Sequence, residues 1–164
     1  MSIIHIYGCS EEIKKLRKVE IESIGLNCFS GFFRTKYWLF SDREDFGDCI
    51  YKLKSESKLK TGFDHYNCIK NKYYEPYLNF EANVDLFGAL TTATFALSFA
   101  IKKGYKKAAL YGILDGQYNE VSGMVEWKHF YDDEVHYMPI ERFNKIKRLI
   151  NSYGKRIEIV KGII

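Results

Sequence analysis

The sequence is short of proline and cysteine and has no long apolar run, and each shortage excludes something. Two prolines in 164 residues, with no Gly/Ser-rich or low-complexity stretch, leave nothing with the composition of an interdomain linker. No run of roughly 18 apolar residues occurs, so no membrane-spanning helix is expected. The opening "MSIIHIYGCSEE" lacks the charged start, long apolar stretch and small-residue cleavage site of a secretory signal, so a soluble, cytoplasmic protein is expected. Four cysteines, Cys9, Cys28, Cys49 and Cys68, are spaced almost evenly, with no C-x-x-C pair and no histidine at metal-ligand spacing. Reduced thiols are therefore expected, and no metal site.

Charge of either sign is also modest. Lys and Arg number 25 against 21 Asp and Glu, a net +4, and the lysines are scattered along the chain rather than massed. Such a balance suits a small anionic ligand and gives only weak support to nucleic acid, which ranks last among the partners. The one Lys/Tyr-rich segment, 51–74, has basic and stacking residues, but acids interrupt it.

What is present is core-forming material: 46% hydrophobic and 16% aromatic residues suffice for a single domain spanning residues 1–164. "SIIHIYG" is a β-branched and aromatic run that stops at Gly8, and Ser10 can cap a following helix with Glu11 and Glu12 in its first turn. "ESIGLN" (22–27) and "YWLFSD" (37–42) are short buried-strand runs ending in Asn27 and Asp42. Between 43 and 87 the pattern weakens into a variable cover segment, with one further strand expected in "KLKTGFDHYNC". Thr91 or Thr92 then caps a helix that stops at Gly104, "KAALYGI" follows as a central strand, a helix runs from about Pro139 to Tyr153, and "RIEIV" closes the sheet. Strands alternating with helices predict an α/β fold, a mostly parallel sheet with helices on both faces, whose ligand crevice lies beyond the carboxyl ends of the strands.

The chemistry-bearing residues fall at those strand ends. Gly8, Cys9 and Ser10 form a tight turn whose amides suit a phosphate or carboxylate, although an ordinary turn has the same composition. Thr91 and Thr92 offer two hydroxyls at another helix start, for a ligand or simply as caps. Gly112 to Gly116, with Asp115 and Asn119 nearby, offers acceptors for sugar or base groups, or a turn. His136, next to Tyr137 and just after Asp132, Asp133 and Glu134, could carry a proton, or could be a packing or surface imidazole. His5, inside the first strand, reads as a core residue, and Trp127, Phe130 and Tyr131 as flap or core.

Residues 90–115, "LTTATFALSFAIKKGYKKAALYGILD", resemble the block of bacterial sialyltransferases of glycosyltransferase family 42 that reads, roughly, I-T-S-G, an alanine-rich helix, G-Y, then a strand ending S-G-I-D. "IYGCSEE", "IGLNCF", "WLFSD" and "VHYMPI" follow in that family's order. The resemblance implies a Rossmann-like core binding a cytidine nucleotide-sugar without an essential metal or other cofactor. By position it places Gly8, Ser10, Asn27, Asp42, Thr91 and Thr92 at the donor, with Tyr137 near the phosphate. The chain departs from the pattern in three places: Ile140 stands where the catalytic histidine would be, Ala89 replaces an arginine, and the acid after G-I is displaced by one residue to Asp115. The chain is also shorter than those enzymes, so either the acceptor is small or another subunit, such as a second copy, completes the site.

Two functions follow from this reading. One is a small glycosyltransferase-like enzyme with His136 or Asp115 as base and Gly8, Cys9, Ser10, Asn27, Asp42, Thr91, Thr92, Gly112 and Tyr137 at the nucleotide. The other is a nucleotide-binding module without chemistry, a metabolite sensor or a phage-encoded sponge for a signalling nucleotide.

Overall fold

The computed structural model describes residues 2–40, 64–67 and 91–164, with backbone alone at Phe40 and at 64–67. Asp42, and the cover segment apart from residues 64–67, lie outside the described residues.

β1 (Ile3–Tyr7) sits mid-sheet, and its alternation explains the two layers around it. Ile4 and Ile6 point to one face and Tyr7 to the other, as the two-residue period of a strand requires. Parallel to it run β2 (Ser23–Leu26), β3 (Tyr37–Phe40) and β4 (Asp64–Asn67) on one side, β5 (Lys107–Tyr111) and β9 (Glu158–Lys161) on the other. The six-stranded order is β4-β3-β2-β1-β5-β9, so the chain reverses its direction of travel across the sheet between β4 and β5. The carboxyl ends of β1 and β5 flank that reversal, where such sheets open a crevice.

One face is covered by two helices, α2 (Thr92–Lys102) and α3 (Ile140–Tyr153). α2 inserts Phe95, Leu97 and Phe99, all 1% exposed or less, against Ile4, Ile6, Ile24 and Leu39. Burial of each such side chain stabilises the fold by about 1.5–3 kcal/mol. Thr91 caps α2 through a reciprocal box with Thr94, and α3 begins after Pro139, where a missing amide costs nothing.

On the other face, where a helical layer is expected, the described residues form no long helix. The stretch after Ser10 forms only a 3-10 turn, Glu11–Lys15, and α1 is four residues long, Phe29–Phe32. Ile13, Leu16 and Val19 recur every three residues, which matches a three-residue turn rather than a 3.6-residue helix, and the cations between them supply no second apolar row. Stacked rings fill this face instead: Tyr7 lies 4.9 Å from Phe29 and 4.6 Å from Tyr111 between centroids. Offset aromatic pairs of this kind add about 0.5–1.5 kcal/mol beyond their burial.

A second sheet interrupts the alternation. β6 (Gln117–Asn119), β7 (Met124–Lys128) and β8 (Val135–Pro139) make an antiparallel meander, so "VHYMP" is a strand and Trp127 belongs to a sheet. Asn119 shapes its first turn, its side-chain oxygen accepting from the Val121 amide at 2.8 Å. The meander docks on the β1 turn through the Phe130 amide, which donates to the Cys9 carbonyl at 2.9 Å. No helix among the described residues is long and apolar enough to cross a membrane.

Candidate functional site

Two glycines let the ends of β1 and β5 close on each other. A Cβ on Gly8 would lie 2.2 Å from the Gly112 carbonyl oxygen, and one on Gly112, itself at φ +60°, would lie 2.7 Å from the Ile13 side chain. The Gly8 amide donates to the Tyr111 carbonyl at 2.7 Å and the Ser10 amide to the Gly112 carbonyl at 3.3 Å. These amides hold the turns together, so the first turn does not offer them to a phosphate. Cys9 is likewise committed, its thiol donating to the Leu26 carbonyl at 3.3 Å.

The same closure gathers polar side chains. Ser10 Oγ donates to Asp115 Oδ2 at 2.6 Å, Glu12 Oε1 accepts from the Gly112 amide at 2.8 Å, and Lys161 Nζ lies 3.6 Å from Asp115 Oδ1 and 3.7 Å from Glu12 Oε2. Burial raises the Asp115 carboxyl above its ordinary range, and Glu12 beside it pushes the same way, while Ser10 and Lys161 pull it back. A carboxyl held up by desolvation is a better proton acceptor than an exposed one.

Across the crevice, Asn27 stands at the end of β2 in the left-handed conformation, φ 50°. Its backbone is pinned on both sides, with its amide donating to the Leu39 carbonyl at 2.9 Å and its carbonyl accepting from Trp38 Nε1 at 2.7 Å. Its side-chain Oδ1 is buried without a hydrogen-bond partner among the described residues. An orphaned acceptor of this kind costs about 1–3 kcal/mol, which a ligand donor would recover.

Gly8, Cys9, Ser10, Asn27, Thr91, Thr92, Gly112 and Asp115 all line one crevice of about 320 Å³. It opens beside a larger cleft of about 1150 Å³ that shares Ser10, Asp115 and Trp127 and is edged by Lys14, Lys15 and Lys161. Thr91 Oγ1 already serves as the helix cap, accepting from the Thr94 amide at 3.3 Å. Two expected residues fall elsewhere: Tyr137 is 57% exposed on β8, and neither it nor His136 lines the crevice.

Sequence reasoning missed Arg142, Trp127, His129, Glu12 and Lys161. Arg142, in the first turn of α3, brings a cation into the crevice wall beside the amino end of α2. It forms no ion pair with the described residues. The pairing of a helix start with a guanidinium is where an anion is best held. A start-of-helix Glu-Arg pair after proline was the only local signal for it.

Although no histidine stands at conventional metal-ligand spacing, His129, Asp132 and His136 offer ligand atoms that all lie within 4.8 Å of one another. No protein-family model, curated protein or solved structure matches the chain.

Proposed function

We propose that the crevice binds a nucleotide or nucleotide-sugar, in a Rossmann-like arrangement, and that Asp115 accepts the proton when the sugar passes to a hydroxyl acceptor. The observation that carries this reading is the convergence of Asn27, the α2 start, Arg142 and Asp115 on one crevice at the reversal of strand order. Each end has its chemistry. Arg142 and the α2 amino end suit a phosphate, Asn27 Oδ1 seeks a donor such as a base amine or sugar hydroxyl, and Asp115 stands at the opening into the larger cleft. A crevice of about 320 Å³ is at the small end for ligand sites. A nucleotide would occupy it, and the attached sugar would extend into the cleft beyond Ser10.

The test is a thermal-shift and calorimetric panel of nucleotides, nucleotide-sugars and cyclic dinucleotides. A ligand at 100 times its Kd adds about 2.7 kcal/mol, a rise of about 5–10 °C for a chain of this length. Asn27→Gly, which keeps the left-handed backbone, and Arg142→Ala should each weaken binding about tenfold or more. Absence of any shift across the panel, or unchanged affinity in both variants, would overturn the reading.

A second reading, a nucleotide-binding module without chemistry, draws on the commitment of Asp115 to Ser10 and Lys161 and on His136 standing outside the crevice lining. It requires tight binding with no donor hydrolysis, whereas the transferase reading requires hydrolysis that Asp115→Asn abolishes.

A further inference from the structure

β7 and β8 hold Trp127 and His136 opposite each other as cross-strand partners, and their rings stack with centroids 5.8 Å apart. The chain between these strands folds back, with Asp132 Oδ1 accepting from the Glu134 amide at 3.2 Å, so the Asp132 carboxylate is turned between two imidazoles. His129 Nδ1 lies 3.4 Å from Asp132 Oδ2, and His136 Nε2 lies 3.7 Å from Asp132 Oδ1. The second distance is too long for a hydrogen bond, and His136 Nε2 is accordingly a buried nitrogen with no hydrogen-bond partner among the described residues. The His129 ring is steadied by Tyr131, stacked at 5.0 Å.

We propose that His129, Asp132 and His136 bind a divalent transition-metal ion of the zinc, cobalt or iron(II) kind. Two histidines and one carboxylate are a donor set suited to such ions and too poor in oxygen for calcium or magnesium. The spacing agrees with the chemistry: two ligands each about 2.0–2.1 Å from one ion at a tetrahedral angle stand about 3.4 Å apart. The two nitrogen–oxygen separations, 3.4 and 3.7 Å, run to different oxygens of the Asp132 carboxylate, and one ligand atom from each of the three residues lies within 4.8 Å of the others, so side-chain rotation must bring them onto one ion. An ion also gives His136 Nε2 the partner it lacks. Three protein ligands leave positions for water or another donor, and His129 belongs both to this triad and to the crevice wall. The ion would therefore sit at the edge of the crevice. This inference rests on the meander alone and stands whether or not the crevice takes a nucleotide.

The experiment uses the full chain, stripped with chelator and titrated with Zn²⁺ by calorimetry and with Co²⁺ by visible absorption. The expected result is one saturable equivalent, with cobalt bands of a nitrogen and oxygen site and no thiolate charge transfer. His136→Phe retains a ring to stack on Trp127 and removes the nitrogen, and Asp132→Asn retains the acceptor for the Glu134 amide. Each should weaken binding at least tenfold, in proteins whose circular dichroism and melting without metal match the parent. Failure to saturate, thiolate charge transfer indicating binding through cysteine, or equal affinity in both variants would overturn the assignment. If either variant fails to fold, His129→Ala serves in its place under the same criteria.

Discussion

Replacing Gly8 by alanine tests the closure on which the crevice depends. The new methyl carbon would stand 2.2 Å from the Gly112 carbonyl oxygen and 2.8 Å from Ile113 Cγ1, far inside van der Waals contact. Ile113 can rotate, but the carbonyl belongs to a backbone tied by the Ser10 amide at 3.3 Å and, through Glu12, at 2.8 Å. Relief must come from separating the ends of β1 and β5. Overpacking costs about 1–3 kcal/mol, and stretching the Gly8 to Tyr111 hydrogen bond adds about 1 kcal/mol. The sum, about 2–4 kcal/mol, lowers the melting temperature by about 5–15 °C for a chain of this size. Gly104→Ala is the control. Its φ of +84° disfavours a side chain, but its Cβ meets nothing within 4 Å, so it should cost only about 1–2 kcal/mol. Melting by circular dichroism at one scan rate decides the matter. If Gly8→Ala melted within about 1 °C of the parent, or lost less than Gly104→Ala, the tight approach of the two strand ends would be refuted.

Two other substitutions follow from buried polar groups. Because the folded protein raises the Asp115 carboxyl, chiefly by burial, its stabilising contribution is present below the unfolded value and lost as pH rises through the folded one. Asp115→Asn should therefore melt above the parent at pH 7, with the gap closing as pH falls into the ordinary carboxylate range; a pH series of melts in which the gap is absent or widens toward acid would refute the assigned environment. Tyr153→Phe breaks the buried hydrogen bond at 2.8 Å to Ser98, which joins α3 to α2, at a cost of about 1–3 kcal/mol. Adding Ser98→Ala should then cost less than Ser98→Ala alone, and strict additivity in a double-mutant cycle by urea unfolding would show that the two hydroxyls do not interact.

Much of the fold was legible because its signals are local. The capping threonine and the stop at Gly104 bound α2, Pro139 opens α3, and the short apolar runs are strands that register in parallel. The meander was not legible. β6 is three residues long with one apolar side chain, and Val125-Glu126-Trp127-Lys128 in β7 alternates over only four residues, too short a signal to separate a strand from a turn. The helix read after Ser10 failed because the Ser10 hydroxyl goes to Asp115 and makes no cap hydrogen bond, and because the apolar positions follow a three-residue period.

By itself the sequence determined the strands of the parallel sheet, the two long helices and the placing of Gly8, Asn27, Thr91 and Asp115 at strand and helix ends, because propensity, capping and hydrophobic period act over a few residues. Only the tertiary structure decided what those residues face. Packing of the meander on the β1 turn, and of β5 against β1, buries Asp115 beside Glu12 and Ser10, leaves Asn27 Oδ1 unpaired, brings Arg142 to the crevice and turns Asp132 between two histidines. Desolvation, orphaned acceptors and ligand geometry arise between segments far apart in the chain, and no local pattern encodes them.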